Sequence, residues 1–411
     1  MGKIVQIAFN VPVPPQSKIH DVLFHGLNRV IAPEHINKRF SKERWSNVFL
    51  TSLKEYFTNL RDVKRFSSSL AFTFGLFENN GCFEANPVDL IALEVLRVFE
   101  PGVYSKLPGL KDLIFGSRKP NKQILGPIED LLKIARKHDA AEGIIRFFFP
   151  QTEQTFDGNS YYTASNDSVR ELRVCTKEYF DLYFKLSISD DEISQFAIEE
   201  LSSLAGDRKM LGEKLKEYLD KKRLQQLFER LDVYKQEIPP SHIGEFVVAL
   251  FDFGDKLPTG RTFDSFDVRT YAGRIVYWGL LSEKNIERRI GILKKALAET
   301  VGLFLPVHTI GREAPREADN SSHVALFPGE YFDEFKGLAL EIIRKNMSSD
   351  LMFGAGLPRL LYTLKKWGDP GEASDWLKQQ ISNPDKFFLV LDSLVSTTLS
   401  SGGYTKVGGF V

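Results

Sequence analysis

Thr58-Asn-Leu-Arg-Asp-Val-Lys-Arg-Phe66, running on through Leu70, Phe74 and Phe77, is the stretch whose reading decides the fold. At about 100° per residue, Val63, Phe66, Leu70, Phe74 and Phe77 fall on one face of a helix. Arg61, Lys64 and Arg65 fall on the opposite face. Asn59 is placed to cap this helix, with Asp62 at its third position. The three cations sit in the first two turns, where the helix dipole disfavours them, and Asp62 offsets only part of that. A helix start with converging Arg side chains is a receptor for an anion such as phosphate. A solvated basic face, or ion pairs with acidic helices nearby, accounts for the same residues.

Outward from this stretch the same period dominates. It predicts helices near residues 16–31, 41–57, 60–78, 87–99, 121–137, 176–186, 190–204 and 207–231. Further on it predicts them near 241–253, 267–280, 283–301, 330–346, 356–367, 371–381 and 384–399. Asn86-Pro87 and Asn383-Pro384-Asp385 put a cap before a proline at the first helical position, and Pro240-Ser241 starts another helix. Lys3 to Phe9 is rich in β-branched residues and reads as a strand, ended by Pro12, Pro14 and Pro15. A lone strand is not independently stable, so its sheet is expected upstream of residue 1. Gln151 to Ser168 reads as a linker, Val307 to Ser322 as irregular, and Ser400 to Val411 as frayed.

The chain has 411 residues, beyond the size at which single cores stop growing, so two or three domains are expected. Its 33 phenylalanines, against 4 tryptophans and 4 methionines, point to aromatic cores. Lys+Arg and Asp+Glu both number 54. That balance argues against a nucleic-acid binder or a membrane-surface protein working by bulk charge. Two cysteines, Cys82 and Cys175, are too few for a disulfide scaffold or a zinc ligand set, and a cytoplasmic chain is expected. No secretory leader is visible, and no apolar run approaches the roughly 18 residues that span a bilayer.

A phosphate-binding loop needs a glycine-rich turn ending in Gly-Lys-Ser/Thr, and the only Gly-Lys is Gly2-Lys3, followed by Ile4. Val247 to Asp252 and Phe388 to Asp392 mimic the four apolar residues and acid of a Walker B strand, but each lies in a helical pattern. Gly354-Ala-Gly-Leu-Pro358 reads as a helix-breaking turn. The zincin, nucleophile-elbow and Cys-x-x-Cys patterns are missing. No catalytic residue and no metal-ligand set is assigned.

Leu60-Arg-Asp-Val-Lys-Arg-Phe66 resembles the Arg-Asp-Val/Ile-Lys-Arg-Phe signature of the KAP-family P-loop NTPases. Asn86-Pro-Val-Asp-Leu-Ile-Ala-Leu-Glu-Val-Leu-Arg-Val-Phe-Glu-Pro101 is similar to the helix that follows it there. Lys3 to Phe9 resembles the strand that closes the family's sheet, and Leu172-Arg-Val-Cys-Thr-Lys-Glu-Tyr-Phe-Asp-Leu-Tyr-Phe-Lys-Leu186 a segment of bacterial members. Leu305-Pro-Val-His308 is a weaker match. The resemblance implies an ATPase of the signal-transduction type, linked to phage exclusion or membrane-associated signalling. It also implies that this chain is the portion following the Walker A and Walker B segments, truncated and inactive alone. The ligands for ATP and Mg²⁺ are then expected upstream, supplied by an NTPase half or an adjacent-gene product. Arg61, assisted by Lys64 or Arg65, is similar in position to a residue sensing nucleotide phosphate. Arg97, three residues after Glu94, reads as structural.

The expected fold is mostly α: a remnant of an α/β RecA-like core with a helical lid, then a larger helical domain. The expected divisions are 1–104 for the NTPase portion, 105–150 for a helical connector, 151–170 for a linker and 171–411 for the helical domain. That domain would bind a protein partner, and membrane association would come through a segment or partner outside the chain. The rival reading is a stand-alone, non-enzymatic helical scaffold or interaction protein from a split or decayed gene. An upstream reading frame carrying Gly-x-x-x-x-Gly-Lys-Ser/Thr would separate the two.

Overall fold

The computed structural model describes residues 14–115, 122–150, 166–186, 193–235, 238–258, 267–315, 324–354, 356–399 and 405–410. They form a largely helical protein with two small antiparallel sheets of two strands each. No parallel sheet occurs among the described residues, so they do not display the expected RecA-like core. Contacts divide the chain into two compact units, Met1–Phe196 and Ala197–Val411.

The first unit is built around the helix Pro87–Phe99. Its start follows from the sequence: Pro87 occupies the first turn, and the Asn86 side chain accepts N–H bonds from Val88 and Asp89 at 3.1 and 3.2 Å. Its residues from Pro87 to Leu96 are all buried, the pattern of a helix enclosed by its neighbours. Against it lies Leu60–Leu76. The apolar face read from sequence is the buried one: Val63, Phe66, Leu70, Phe74 and Phe77 are at most 3% exposed. Aromatic rings fill the contact, with Phe57 edge-on to Phe66 at 5.0 Å and Phe74 against Phe83 at 4.9 Å. Burying each such side chain stabilises by about 1.5–3 kcal/mol.

Leu60–Leu76 ends into a hairpin, Glu78–Asn79 paired with Cys82–Phe83. Asn80 and Gly81 make its two-residue turn with φ of 47° and 79°. Asn-Gly is the pair that such a turn favours, because both positions need positive φ. The hairpin thus adds strands that the sequence reading does not contain, while its own expected strand, Lys3 to Phe9, lies outside the described residues.

In the second unit Ile243–Phe253 is the central helix, with Phe246 to Phe251 buried. Val247 to Asp252 is therefore core helix, not a Walker B strand, and Phe388 to Asp392 is helical as well. Chain 300–304 closes over the end of the central helix. Asp252 accepts from Thr300 Oγ1 and Val301 N–H, and Asp255 from Leu303 and Phe304 N–H. Gly302 is required there, because a Cβ would lie 1.9 Å from the Phe251 carbonyl oxygen.

Four expectations need correction. The helix near 121–137 stops at Leu132, and a second helix, His138–Phe148, follows it. The helix at 207–231 is two, Arg208–Asp220 and Leu224–Tyr234, divided where Lys222 takes φ 57°. The stretch from Val307 begins inside a helix, Phe304–Arg312, whose Pro306 sits in the first turn where no N–H is needed. The helix at 384–399 ends at Leu394, and Val395–Leu399 pairs with Thr405–Phe410, part of the segment expected to fray. Of the expected linker, residues 151–165 lie outside the described residues and Asn166–Arg170 is helical. No helix among the described residues is long and apolar enough to cross a membrane.

Candidate functional site

The start of Leu60–Leu76 is closed by its own side chains. Asn59 Oδ1 accepts the Asp62 N–H at 2.9 Å, and Asp62 Oδ2 accepts from Asn59 Nδ2 at 2.7 Å and Thr58 Oγ1 at 3.4 Å. The side-chain cap thus satisfies one of the backbone N–H groups at this helix start, that of Asp62. Arg61, Lys64 and Arg65 are all exposed on this part of the helix. Arg65 lies back over the Phe99 ring, 4.8 Å from its centroid. Arg61 and Lys64 reach no carboxylate among the described residues. Two cations are thus presented together and unneutralised, while the third is stacked.

The sequence reading missed a second constellation, the buried carboxylates of the same unit. Asp89 is 0% exposed. It accepts from Arg44 Nη2 at 2.5 Å, Arg173 Nε at 2.9 Å and the Val174 N–H at 3.0 Å. Burial alone would raise its carboxyl pKa. The Arg173 and Arg44 charges and the Val174 N–H outweigh that and hold it below the usual carboxylate range. Arg44 also donates to Asn86 Oδ1, and the Asn86 N–H donates to the Tyr183 hydroxyl at 2.7 Å. Two segments singled out by resemblance, Asn86 to Pro101 and Leu172 to Leu186, therefore meet at one carboxylate.

Three further acids work similarly. Glu94 takes Arg97 through both oxygens at 2.7 and 2.8 Å and Thr73 Oγ1 at 3.1 Å, so Arg97 is structural as its spacing implied. Glu100 accepts the N–H groups of Arg136 and Lys137 and the Tyr56 hydroxyl, whose pKa burial and Glu100 push well up. Glu84 accepts the N–H groups of Gln195 and Phe196. Each acid is satisfied by fixed donors, so this constellation ties chain segments together. It leaves no free acid or base for chemistry. The readable signal was Asp89 and Glu94 inside an otherwise apolar helical run. Their partners lie too far off in sequence to be inferred.

Among the described residues no group of three His, Cys, Asp or Glu side chains could hold a metal ion. A half-open cavity of about 610 Å³ lies along Gln16–Ile31, lined by Phe24, Leu27, Ile31, Phe40 and Trp45 among others.

A family model described as the KAP family P-loop domain matches residues 1–76. No curated protein and no solved structure matches the chain. The family match begins at the N-terminus of this chain and ends on the helix that carries Arg61, Lys64 and Arg65. It overturns the reading of the chain as a truncated C-terminal portion that follows the family's P-loop segments. The stand-alone scaffold from a decayed gene falls with it. So do inactivity for want of those segments, the required upstream half or adjacent-gene product, and the upstream ligands for ATP and Mg²⁺.

Proposed function

We propose that this chain is a nucleotide-responsive helical protein related to the KAP P-loop kind, with its phosphate contact inside residues 1–76. Arg61 and Lys64 make that contact, and Arg65 supports them from its place over Phe99. The observation that carries the reading is the pair of exposed, unneutralised cations at the start of Leu60–Leu76, within the matched residues. Guanidinium and ammonium groups so placed suit a polyphosphate, whose oxygens accept charge-assisted bonds from both. The helix they stand on packs directly against Pro87–Phe99, so a bound phosphate acts on the element around which the unit is built. We place the protein in the cytoplasm, a compartment suited to buried cysteines that form no disulfide.

The test is calorimetric titration of the full chain with MgATP. Arg61→Ala/Lys64→Ala should weaken binding by about 10- to 100-fold, the scale of losing hydrogen bonds to a charged group. Both residues are exposed, so the melting temperature without nucleotide should stay put. A folded double variant that binds MgATP as tightly as the wild type would sink the proposal.

A further inference from the structure

In the first unit, residues at helical spacing on two helices turn toward one space. Phe24 and Asn28 share a face of Gln16–Ile31, and Lys42, Trp45 and Ser46 share a face of Lys42–Thr51. Asn37 and Phe40 join them from the turn between, which the Phe40 N–H closes on the Asn37 carbonyl at 3.0 Å. Together they line the half-open cavity of about 610 Å³. Small-molecule sites span roughly 300–1,000 Å³, so the space is of the right size for one.

The walls are aromatic and held in place. The buried ring of Phe49 stacks on Trp45 at 5.3 Å and 29° and meets Phe24 edge-on at 4.9 Å. Trp45 in turn meets Phe24 at 6.4 Å and 83°, and Phe40 at 6.2 Å and 44°. Phe24, Phe40 and Trp45 are nonetheless only half-buried, because each gives part of its surface to the cavity. Rings set at such angles offer a further ring the offset and edge-on contacts that aromatic pairs prefer. Since Phe49 anchors two of them, little ordering remains to be done when a ligand enters.

The polar groups of the lining are spare. The Asn28, Asn37 and Ser46 side chains make no hydrogen bond among the described residues, and Lys42 reaches no carboxylate among them. Arg44, on the same helix as Lys42, is by contrast taken up by Asp89. Lys42 brings the one charge among the lining residues, and no acid stands with it. Three rings around a space also suit a quaternary ammonium ion. A lysine without a counter-charge opposes a cation there and attracts an anion.

We propose that this cavity is a binding site for a small planar aromatic anion, a ring system that carries a carboxylate. The ring lies among Phe24, Phe40 and Trp45, and the carboxylate takes the Lys42 ammonium. Lys42 and Ser46 stand one helical turn apart, so the Ser46 hydroxyl can donate to the same group. The Asn28 and Asn37 carboxamides are further uncharged donors in the lining. The site shares no residue with the Arg61 and Lys64 contact and does not depend on it.

The test is calorimetric titration of the full chain with naphthoate and with its uncharged amide, naphthamide. The wild type should bind naphthoate saturably and about 10-fold more tightly than naphthamide, the scale of a hydrogen bond to a charged group. Lys42→Gln should lose that preference while still binding naphthamide. Ala32→Trp, which puts an indole into the cavity from its exposed rim, should bind neither. Both substituted residues are exposed, so the variants should melt with the wild type. Arg61→Ala/Lys64→Ala should bind naphthoate as the wild type does, whatever becomes of its MgATP binding, so the two proposals fail separately. No saturable binding, tighter binding of choline than of naphthoate, or full naphthoate affinity in folded Ala32→Trp would overturn the site. So would a Lys42→Gln variant that keeps the preference, or a dimer in sedimentation that Ala32→Trp dissociates, since a second copy would then fill the cavity.

Discussion

Replacing Asp89 by Asn keeps the shape of the side chain and one acceptor for the Val174 N–H, but removes the negative charge. Two guanidinium groups then face a neutral amide in an enclosed site, with Arg173 only 10% and Arg44 19% exposed and Asp89 at 0%. Breaking one partner of a buried ion pair costs about 3–5 kcal/mol, since the remaining charge stays desolvated. For a unit of this size each kcal/mol moves the melting temperature by about 2–4 °C, so a fall of roughly 6–20 °C is expected. Two compact units make a single melting curve hard to assign, so hydrogen exchange of the amides in Pro87–Phe99 is the better assay. Its opening free energy should drop by the same about 3–5 kcal/mol. Replacing all three charged residues with apolar ones of similar volume should recover much of that loss, as buried ion networks commonly do. The pH dependence has a definite direction. The folded carboxyl titrates below its ordinary value of 3.8. Its stabilisation is therefore complete above that pH and lost as the pH falls through the lower, folded value. If Asp89→Asn costs less than about 1 kcal/mol, the carboxylate does not hold these segments together and the reading fails.

Gly302→Ala should cost about 1–3 kcal/mol, because the Phe251 carbonyl that its Cβ would strike is backbone and cannot swing aside. Gly291→Ala, in an exposed helical position with open space around it, should instead stabilise by about 0.5–1 kcal/mol; urea unfolding compares the pair. His308 titrates lower in the fold than in the unfolded chain, so protons bind the unfolded state preferentially between about 3 and 6.5. Stability should fall as the pH drops below 6.5, by at most about 1.4 kcal/mol per pH unit, and His308→Gln should abolish that slope in urea unfolding measured across this range.

Where the sequence carried explicit punctuation, it could be read to the residue. Asn86-Pro87 set the start of the central helix, and the period of Val63, Phe66, Leu70 and Phe74 set its neighbour's buried face. Asn80-Gly81 is an equally plain turn signal, but the strands it joins are only two residues each and carry no alternating pattern. The break at Lys222 could not be foreseen. A lysine at positive φ is uncommon, and no glycine, asparagine or proline marks it. Pro306 misled in the other direction, since a proline in a first turn looks like a breaker until the helix start is known. His138–Phe148 shows Ala140, Ala141, Ile144, Ile145 and Phe148 at helical spacing, although the expected helices stop at 137 and resume only at 176. On the basic face, the geometry separates cations that the sequence leaves alike. Arg65 is stacked on Phe99 whereas Arg61 and Lys64 are free of carboxylates, a distinction the helical wheel does not contain.

Asp89 has a bearing on how the chain is made as well as on how it stands. Its second arginine, Arg173, lies 84 residues further on, and synthesis at 5–20 residues per second takes about 4–17 s to cover that distance. Until then Pro87–Phe99 has an apolar surface on nearly every side and a charge with half its counter-ions still unmade. During this interval the nascent chain exposes surface of the sort that chaperones shield. Codon choice and chaperone supply between residues 89 and 174 therefore bear on yield more strongly than the stability of the finished fold would suggest.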